Sequence, residues 1–213
     1  LLEADVLVIG ATGGTGLEVV RQAQARGISV TALVRRAEDA ALLPAGTRIR
    51  VGDARDTAAV TEALAGQDCV VSTLGARRGS EVGTVRSDGA RAIVAAMREA
   101  GAQRLVAVTS VGVGSSVAHM SGPSRFMWPR IVGKARLAEA DRAEQAIMAS
   151  DLAWTIVRPP RLVDVAKTSE VAVGADVGIG MQSQITRAAL AGVLVDLATS
   201  DTAVREAVTV TLR

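Results

Sequence analysis

Short, continuous, valine-rich runs alternate with longer helical patterns along most of this chain, and that alternation constrains its fold more than any other feature. The runs are Val6-Leu7-Val8-Ile9 and residues 29–34, 48–51, 69–73, 104–109 and 154–157. Strands buried on both faces read this way, because neither side of the pleat meets water. Helical spacing occupies residues 16–26, 56–65, 83–100 and 136–150. Gly27, Gly66 and Gly101 follow three of these stretches, where a left-handed C-terminal cap is expected. The pattern predicts an α/β domain with parallel strands, right-handed crossovers and helices on both faces.

The end of the chain is less regular. A short strand is expected over residues 170–173, a helix over 187–199 and a last strand over 207–211. Residues 110–133 are polar and Gly/Ser-rich and hold Met120, Phe126, Met127 and Trp128, so they read as a long loop beside the ligand site, with room for a helical turn. No repeat or linker interrupts the chain. One domain is expected over residues 1–213, with substrate-side elements from about 111–135 and 159–190.

Composition excludes several classes. With 49% apolar and 22% charged residues the chain is neither disordered nor fibrous. Its single cysteine, Cys69, cannot form an internal disulfide, which fits a reducing compartment. No apolar run reaches the roughly 18 residues of a membrane span, so a cytoplasmic protein is expected. Lys and Arg exceed Asp and Glu by only 24 to 22, and the aromatics are Phe126, Trp128 and Trp154 alone. Nucleic acid is therefore a poor partner. No metal is implied. Tyrosine is absent from the whole chain.

Directly after the first run comes Gly10-Ala11-Thr12-Gly13-Gly14-Thr15-Gly16, which opens the first helix. In a dinucleotide-binding turn, Gly10 permits the tight exit, Gly13 lets the backbone approach a diphosphate, and Gly16 allows close helix–sheet packing. The helix would then aim free N–H groups and its positive dipole end at the phosphates. Thr12, Gly14 and Thr15 complete the turn. The doubly wound arrangement is thus expected to be of the Rossmann type. An NAD site would place an acidic residue about 20 residues further on, at the end of the second strand. Arg35 and Arg36 stand there instead, and guanidinium groups match a 2′-phosphate, so NADP(H) is the expected cofactor.

Other candidates lie at strand ends. Asp53, with Ala54 after it, would accept a hydrogen bond from the adenine amino group or would simply cap a loop. Leu74 and Gly75 follow the fourth run at the carboxyl edge where open parallel sheets bind ligands. Arg77, with Arg78, would hold phosphate or an acidic substrate, or would be solvated. Thr109 and Ser110 end the fifth run, and Pro159 and Pro160 follow the sixth.

With these motifs the chain resembles an atypical short-chain dehydrogenase/reductase. More narrowly it is similar to the NAD(P)H-binding group that contains biliverdin reductase B (NADPH flavin reductase), with NmrA-like relatives. The resemblance rests on the glycine turn, Leu33-Val34-Arg35-Arg36, Gly52-Asp53, Thr73-Leu74-Gly75, Ser87-Asp88-Gly89-Ala90-Arg91, Val108-Thr109-Ser110 and Trp154 to Pro160. It implies a serine, here Ser110, at the active site and a ribose-binding lysine, for which Lys134 is the candidate. The tyrosine of the usual Tyr-x-x-x-Lys pair is replaced by Arg130. Arg161 stands where that reductase type carries histidine. His119, the only histidine, falls in the expected loop.

These features imply an NADPH-dependent reductase whose acceptor is a flavin or another planar conjugated molecule, such as biliverdin or a quinone. Such an acceptor delocalises charge and needs no phenolic acid, whereas a simple ketone would. Phe126, Met127 and Trp128 would form a lid over it or pack on the sheet edge. The alternative is a non-catalytic NADP(H)-binding sensor of the NmrA-like type. A sugar-nucleotide epimerase fits less well without tyrosine. Both a monomer and a homodimer are compatible with the helical patterns.

Overall fold

The computed structural model describes residues 4–76, 81–164 and 170–213. Its main sheet begins with β1 (Asp5–Ile9), β2 (Ser29–Val34), β3 (Arg48–Val51), β4 (Cys69–Ser72), β5 (Arg104–Val108) and β6 (Ala153–Arg158). It is completed by β8 (Val171–Gly174) and β10 (Glu206–Leu212), while β7 (Arg161–Val163) pairs with β9 (Gln184–Thr186) in a small second sheet. The order in the main sheet is β3-β2-β1-β4-β5-β6-β10-β8. Every pairing in it is parallel except that between β10 and β8. The order reverses between β1 and β4, the point at which doubly wound sheets open a crevice beyond their carboxyl ends.

Helices α1 (Gly14–Ala25) and α6 (Arg187–Ala198) cover one face; α2 (Thr57–Ala63), α3 (Val85–Ala100) and α5 (Lys134–Met148) cover the other. The alternation of β1 divides its side chains between them. Val6 and Val8 join Val19, Val20, Leu190 and Leu194, whereas Leu7 and Ile9 join Ile93, Met97 and Ile156. In β1, β2, β4, β5 and β6 residues of both faces are buried, which is why those stretches of sequence show valine runs rather than alternation. Gly27, Gly66 and Gly101 have φ of 76°, 73° and 73°, the left-handed geometry expected after the helices. Helices α3 and α5 pack against each other over the sheet.

One expectation is corrected here. The stretch read as a loop contains a 3-10 turn (Gly114–His119) and an eleven-residue helix, α4 (Gly122–Val132). Ser121 caps α4 by accepting from the Ser124 amide, and Pro123 lies in the first turn, where no intrahelical N–H is required. Trp128 anchors the helix by burying its ring and donating from Nε1 to the Val111 carbonyl at 2.9 Å. With Val111, Val113, Met120, Leu137, Ala140 and Ile179 it forms a third, smaller core beside the crevice.

Candidate active site

The glycine turn is built as tightly as backbone chemistry permits. Gly10 has φ of 87°, and Thr73 Oγ1 donates to its carbonyl at 3.1 Å. A Cβ on Gly16 would stand 2.2 Å from the Gly10 oxygen, so helix and strand approach as no other residue allows. Gly13 precedes α1 without a side-chain cap, and the first turn of α1 holds no acidic residue. Its leading amides and dipole are therefore uncompensated by the chain itself, and Gly13 and Gly14 are exposed.

A cleft of about 580 Å³ runs from this turn across the carboxyl ends of β4, β5 and β6. Gly13, Gly14, Thr15, Gly16, Leu74, Gly75, Thr109, Ser110, Pro159 and Pro160 all line it. A second lobe of about 400 Å³ shares Gly13, Thr73, Leu74 and Gly75 with the first and continues past Gly10, Thr12, Arg35, Asp53 and Ala54. The two lobes thus meet at the switch point. Their glycine-lined floor and uncapped helix end fit a diphosphate with a ring system to either side.

Individual side chains refine this picture. Arg35 lines the second lobe and makes no hydrogen bond or ion pair among the described residues. Arg36 does not line it: its guanidinium is turned to Asp39 at 2.8 Å and Glu38 at 3.5 Å. Of the two arginines, Arg35 alone thus borders the lobe, because residues 37–42 form a 3-10 turn that supplies Arg36 with carboxylates. Asp53 is held by Arg55 through Nε at 3.0 Å and Nη2 at 2.6 Å. That bidentate bond brings its carboxyl down to about 2. It is a fixed anion at the lobe's rim, with lone pairs already engaged.

Lys134 likewise faces elsewhere. It is exposed at the first turn of α5 and does not line the cleft, whereas Arg136 and Glu139, two and five residues on, do. Helical rotation turns Lys134 outward and these two inward. Arg77 lies outside the described residues. His119 is exposed away from the cleft, and Phe126, 62% exposed, carries the Arg130 guanidinium on its ring at 3.9 Å. Of the three residues read as a lid, only Trp128 lines the cleft.

Ser110 donates from Oγ to the Val111 carbonyl at 2.9 Å, leaving its oxygen free to accept. Thr109 points inward and donates to Glu144 Oε1 at 2.7 Å. Glu144 also receives Arg158 Nη2 at 2.6 Å, and both members of that pair are at most 2% exposed. Arg158 Nη1 reaches Ser115 at 2.8 Å, and a Cβ on Gly114 would meet Arg158 at 2.5 Å. One buried ion pair therefore ties α5, the ends of β5 and β6, and the turn before α4 together beneath the cleft.

Sequence reading missed four charged residues of the first lobe. Arg86 donates from Nε to the Leu74 carbonyl at 3.0 Å, and burial lowers its pKa. Arg136 donates to the Ala76 carbonyl at 3.2 Å. Arg187, at the start of α6, packs beside Gly14 and pairs with Asp164. Glu139 is buried, which works against its charge, yet the Ser87 amide and hydroxyl and Arg142 hold it below the usual range. No local motif marks these positions; they converge only when distant elements fold together.

Comparison with known proteins matches residues 10–201 to a family described as NAD(P)H-binding. The chain belongs to that NAD(P)H-binding family. It is 34% identical over 168 residues to a 3-diazoavenalumate denitrifying reductase of a Streptomyces species, covering 72% of this chain and 54% of that protein. An uncharacterized chloroplastic protein of Arabidopsis thaliana is 31% identical over 176 residues, 78% of this chain and 62% of its own length. The chain thus spans roughly half to two thirds of these two relatives. Among solved structures, an anaerobillin reductase from Escherichia coli O157:H7 superposes with a TM-score of 0.80 at 25% identity, covering 97% of this chain and 96% of that one. A short-chain dehydrogenase/reductase from Veillonella parvula, solved with NADP, shares the fold at a TM-score of 0.79 and 16% identity, covering 97% and 94%. No helix among the described residues of this family member is long and apolar enough to cross a membrane.

Proposed function

We propose that this chain is an NADPH-dependent reductase that passes hydride to a planar conjugated acceptor. The observation that carries the reading is the continuity of the two lobes through the glycine turn, with one lobe bordered by Arg35 and the other by Ser110 and an apolar wall. Membership of the NAD(P)H-binding family supports it, as do the words "reductase" in the names of the Streptomyces and Escherichia coli proteins.

The leading amides of α1, with Gly13 and Gly14, would hold the diphosphate, and Arg187 beside Gly14 would add positive charge there. Arg35 would take the 2′-phosphate, and Ala54 would border the adenine. Gly75, Thr109, Pro159 and Pro160 would form the floor under the nicotinamide half. When bound, the dinucleotide supplies the hydride. Trp128, Ile131, Val132 and Met181 would shield the acceptor from water, and Ser110 would accept a hydrogen bond from it. The chain contains no tyrosine, and Lys134 lies outside the cleft, so no residue here matches the phenol–ammonium acid of the tyrosine-dependent enzymes. An acceptor that spreads the incoming electron pair over a conjugated system tolerates that absence, because water can supply the proton.

Steady-state NADPH oxidation with FMN, FAD, biliverdin and quinones tests the proposal. Turnover with at least one acceptor is expected. Tight NADPH binding with no oxidation by any of them would instead establish the sensor reading.

A further inference from the structure

Leu74 and Gly75, at the end of β4, line both lobes, so a dinucleotide lying across the cleft passes over these two residues. One side chain holds that seam. Arg86, in the first turn of α3, donates from Nε to the Leu74 carbonyl at 3.0 Å. Its Nη2 lies 2.8 Å from the place that a Cβ on Gly75 would take, so the guanidinium fills the space of the missing side chain. Gly75 is not among the glycines of positive φ, and its demand for glycine therefore comes from this packing and not from backbone conformation.

Arg86 has its charge balanced by neighbours that do not use its donors. Burial lowers its pKa, the carboxylates of Glu139 and Glu144 oppose that shift, and Arg136 adds to it. Both carboxylates are already bonded elsewhere. Glu139 accepts from Ser87 and Arg142, and Glu144 accepts from Thr109 and Arg158. Beyond the bond from Nε, no hydrogen bond from Nη1 or Nη2 of Arg86 is found among the described residues. The side chain lines the first lobe and not the second. A guanidinium compensated in charge but with terminal N–H groups to spare suits a neutral oxygen.

We infer that Arg86 binds the nicotinamide half of the dinucleotide: Nε fixes the Leu74–Gly75 seam, and the terminal N–H groups donate to a neutral oxygen of the nicotinamide ribose or carboxamide. This inference rests on the placement of the dinucleotide across the two lobes proposed above, and it is independent of the acceptor. Arg86 then acts on a ligand that crosses the seam and hardly at all on one that stays in the second lobe.

Calorimetric titration of the full chain with NADPH and with adenosine 2′,5′-bisphosphate, the adenine half alone, provides the test. Arg86→Gln should weaken NADPH about tenfold and the bisphosphate less than about twofold. Arg86→Lys keeps a cation beside Glu139 and Glu144 but lacks the planar fork, so it should recover only part of the NADPH affinity. Gly75→Ala reaches the same contact from the other side, because its methyl group displaces the guanidinium. It should weaken NADPH by a similar factor, and the double change Gly75→Ala with Arg86→Gln should be about as weak as either single one. Circular dichroism checks each fold; where Arg86→Gln fails to fold, Gly75→Ala and Arg86→Lys decide, since both keep the cation. The inference is overturned if these changes leave NADPH affinity within about threefold of the unaltered chain, or if the effects of Gly75→Ala and Arg86→Gln add. It is equally overturned if NADPH and the bisphosphate weaken by the same factor, as general loosening of the cleft would cause. Failure of the underlying placement looks different: the unaltered chain itself would bind NADPH no more tightly than the bisphosphate, or would bind neither, and the inference would fall with it.

Discussion

Gly16, Arg35 and Asp53 each carry a distinct physical demand. A methyl group on Gly16 collides with the Gly10 carbonyl, which neither strand nor helix can move aside cheaply. Gly16→Ala should destabilise the fold by about 1–3 kcal/mol and open the turn, read as a lower Tm and weakened NADPH binding. Arg35→Ala removes the one guanidinium bordering the second lobe that makes no hydrogen bond or ion pair among the described residues. NADPH affinity should fall by about tenfold or more while NADH affinity stays nearly constant, a contrast measurable by calorimetry. Asp53 ionises at about 2 in the fold against about 3.9 in an unfolded chain, chiefly through its bond from Arg55. A depressed carboxylate contributes stability that is complete above the unfolded value and is lost as pH falls through the folded one. Asp53→Asn should therefore flatten the acid limb of the stability curve between about pH 4 and pH 2, by a modest amount because the pair is part-exposed. The identity of these residues was legible in the sequence; their pairings were not. Arg36 and Arg35 are neighbours with equal claims until a 3-10 turn offers Glu38 and Asp39 to one of them.

Among the elements, the central strands β1, β2, β4, β5 and β6 were the easiest to read, since burial on both faces turns each into a largely apolar run between glycines and polar turns. Helix α4 was hidden by its composition. Pro123, Pro129 and two flanking glycines read as loop, and only Ser124 and Trp128 of its eleven residues are buried, too few to set a helical period. Strands β7 and β9 are three residues each and leave no pattern to recognise. The Glu144–Arg158 pair belongs to this scale because it joins elements rather than residues. Removing one partner strands the other charge in the core beneath Thr109. Glu144→Ala should cost about 3–5 kcal/mol, seen as a shift in the denaturant midpoint. The double change Glu144→Leu with Arg158→Met should cost less than the single one, because no orphan charge remains. Cys69 is a contrasting buried group: desolvation raises its thiol to about 12, so it should resist alkylation until the sheet unfolds.

For the molecule as a whole, topology decides where chemistry sits. The reversal of strand order between β1 and β4 sets the glycine turn beside Leu74 and Gly75, and the crossovers bring Arg86, Arg136 and Arg187 from three different helices to one cleft. Half of that arrangement follows from local motif, which is why the glycine turn at the mouth of the cleft was readable from the chain alone. The other half depends on contacts between distant segments, so the arginines that line the first lobe were not. The central claim is that the cleft receives a phosphorylated dinucleotide, diphosphate on the α1 amides and 2′-phosphate on Arg35. Thermal unfolding with NADPH and with NADH in parallel tests it most directly. At a hundredfold excess over Kd a bound ligand adds about 2.7 kcal/mol, equivalent to roughly 5–10 °C for a domain of this size. The account predicts such a rise with NADPH and a smaller one with NADH. Equal or greater stabilisation by NADH would contradict the role of Arg35, and no shift with either would contradict the site itself.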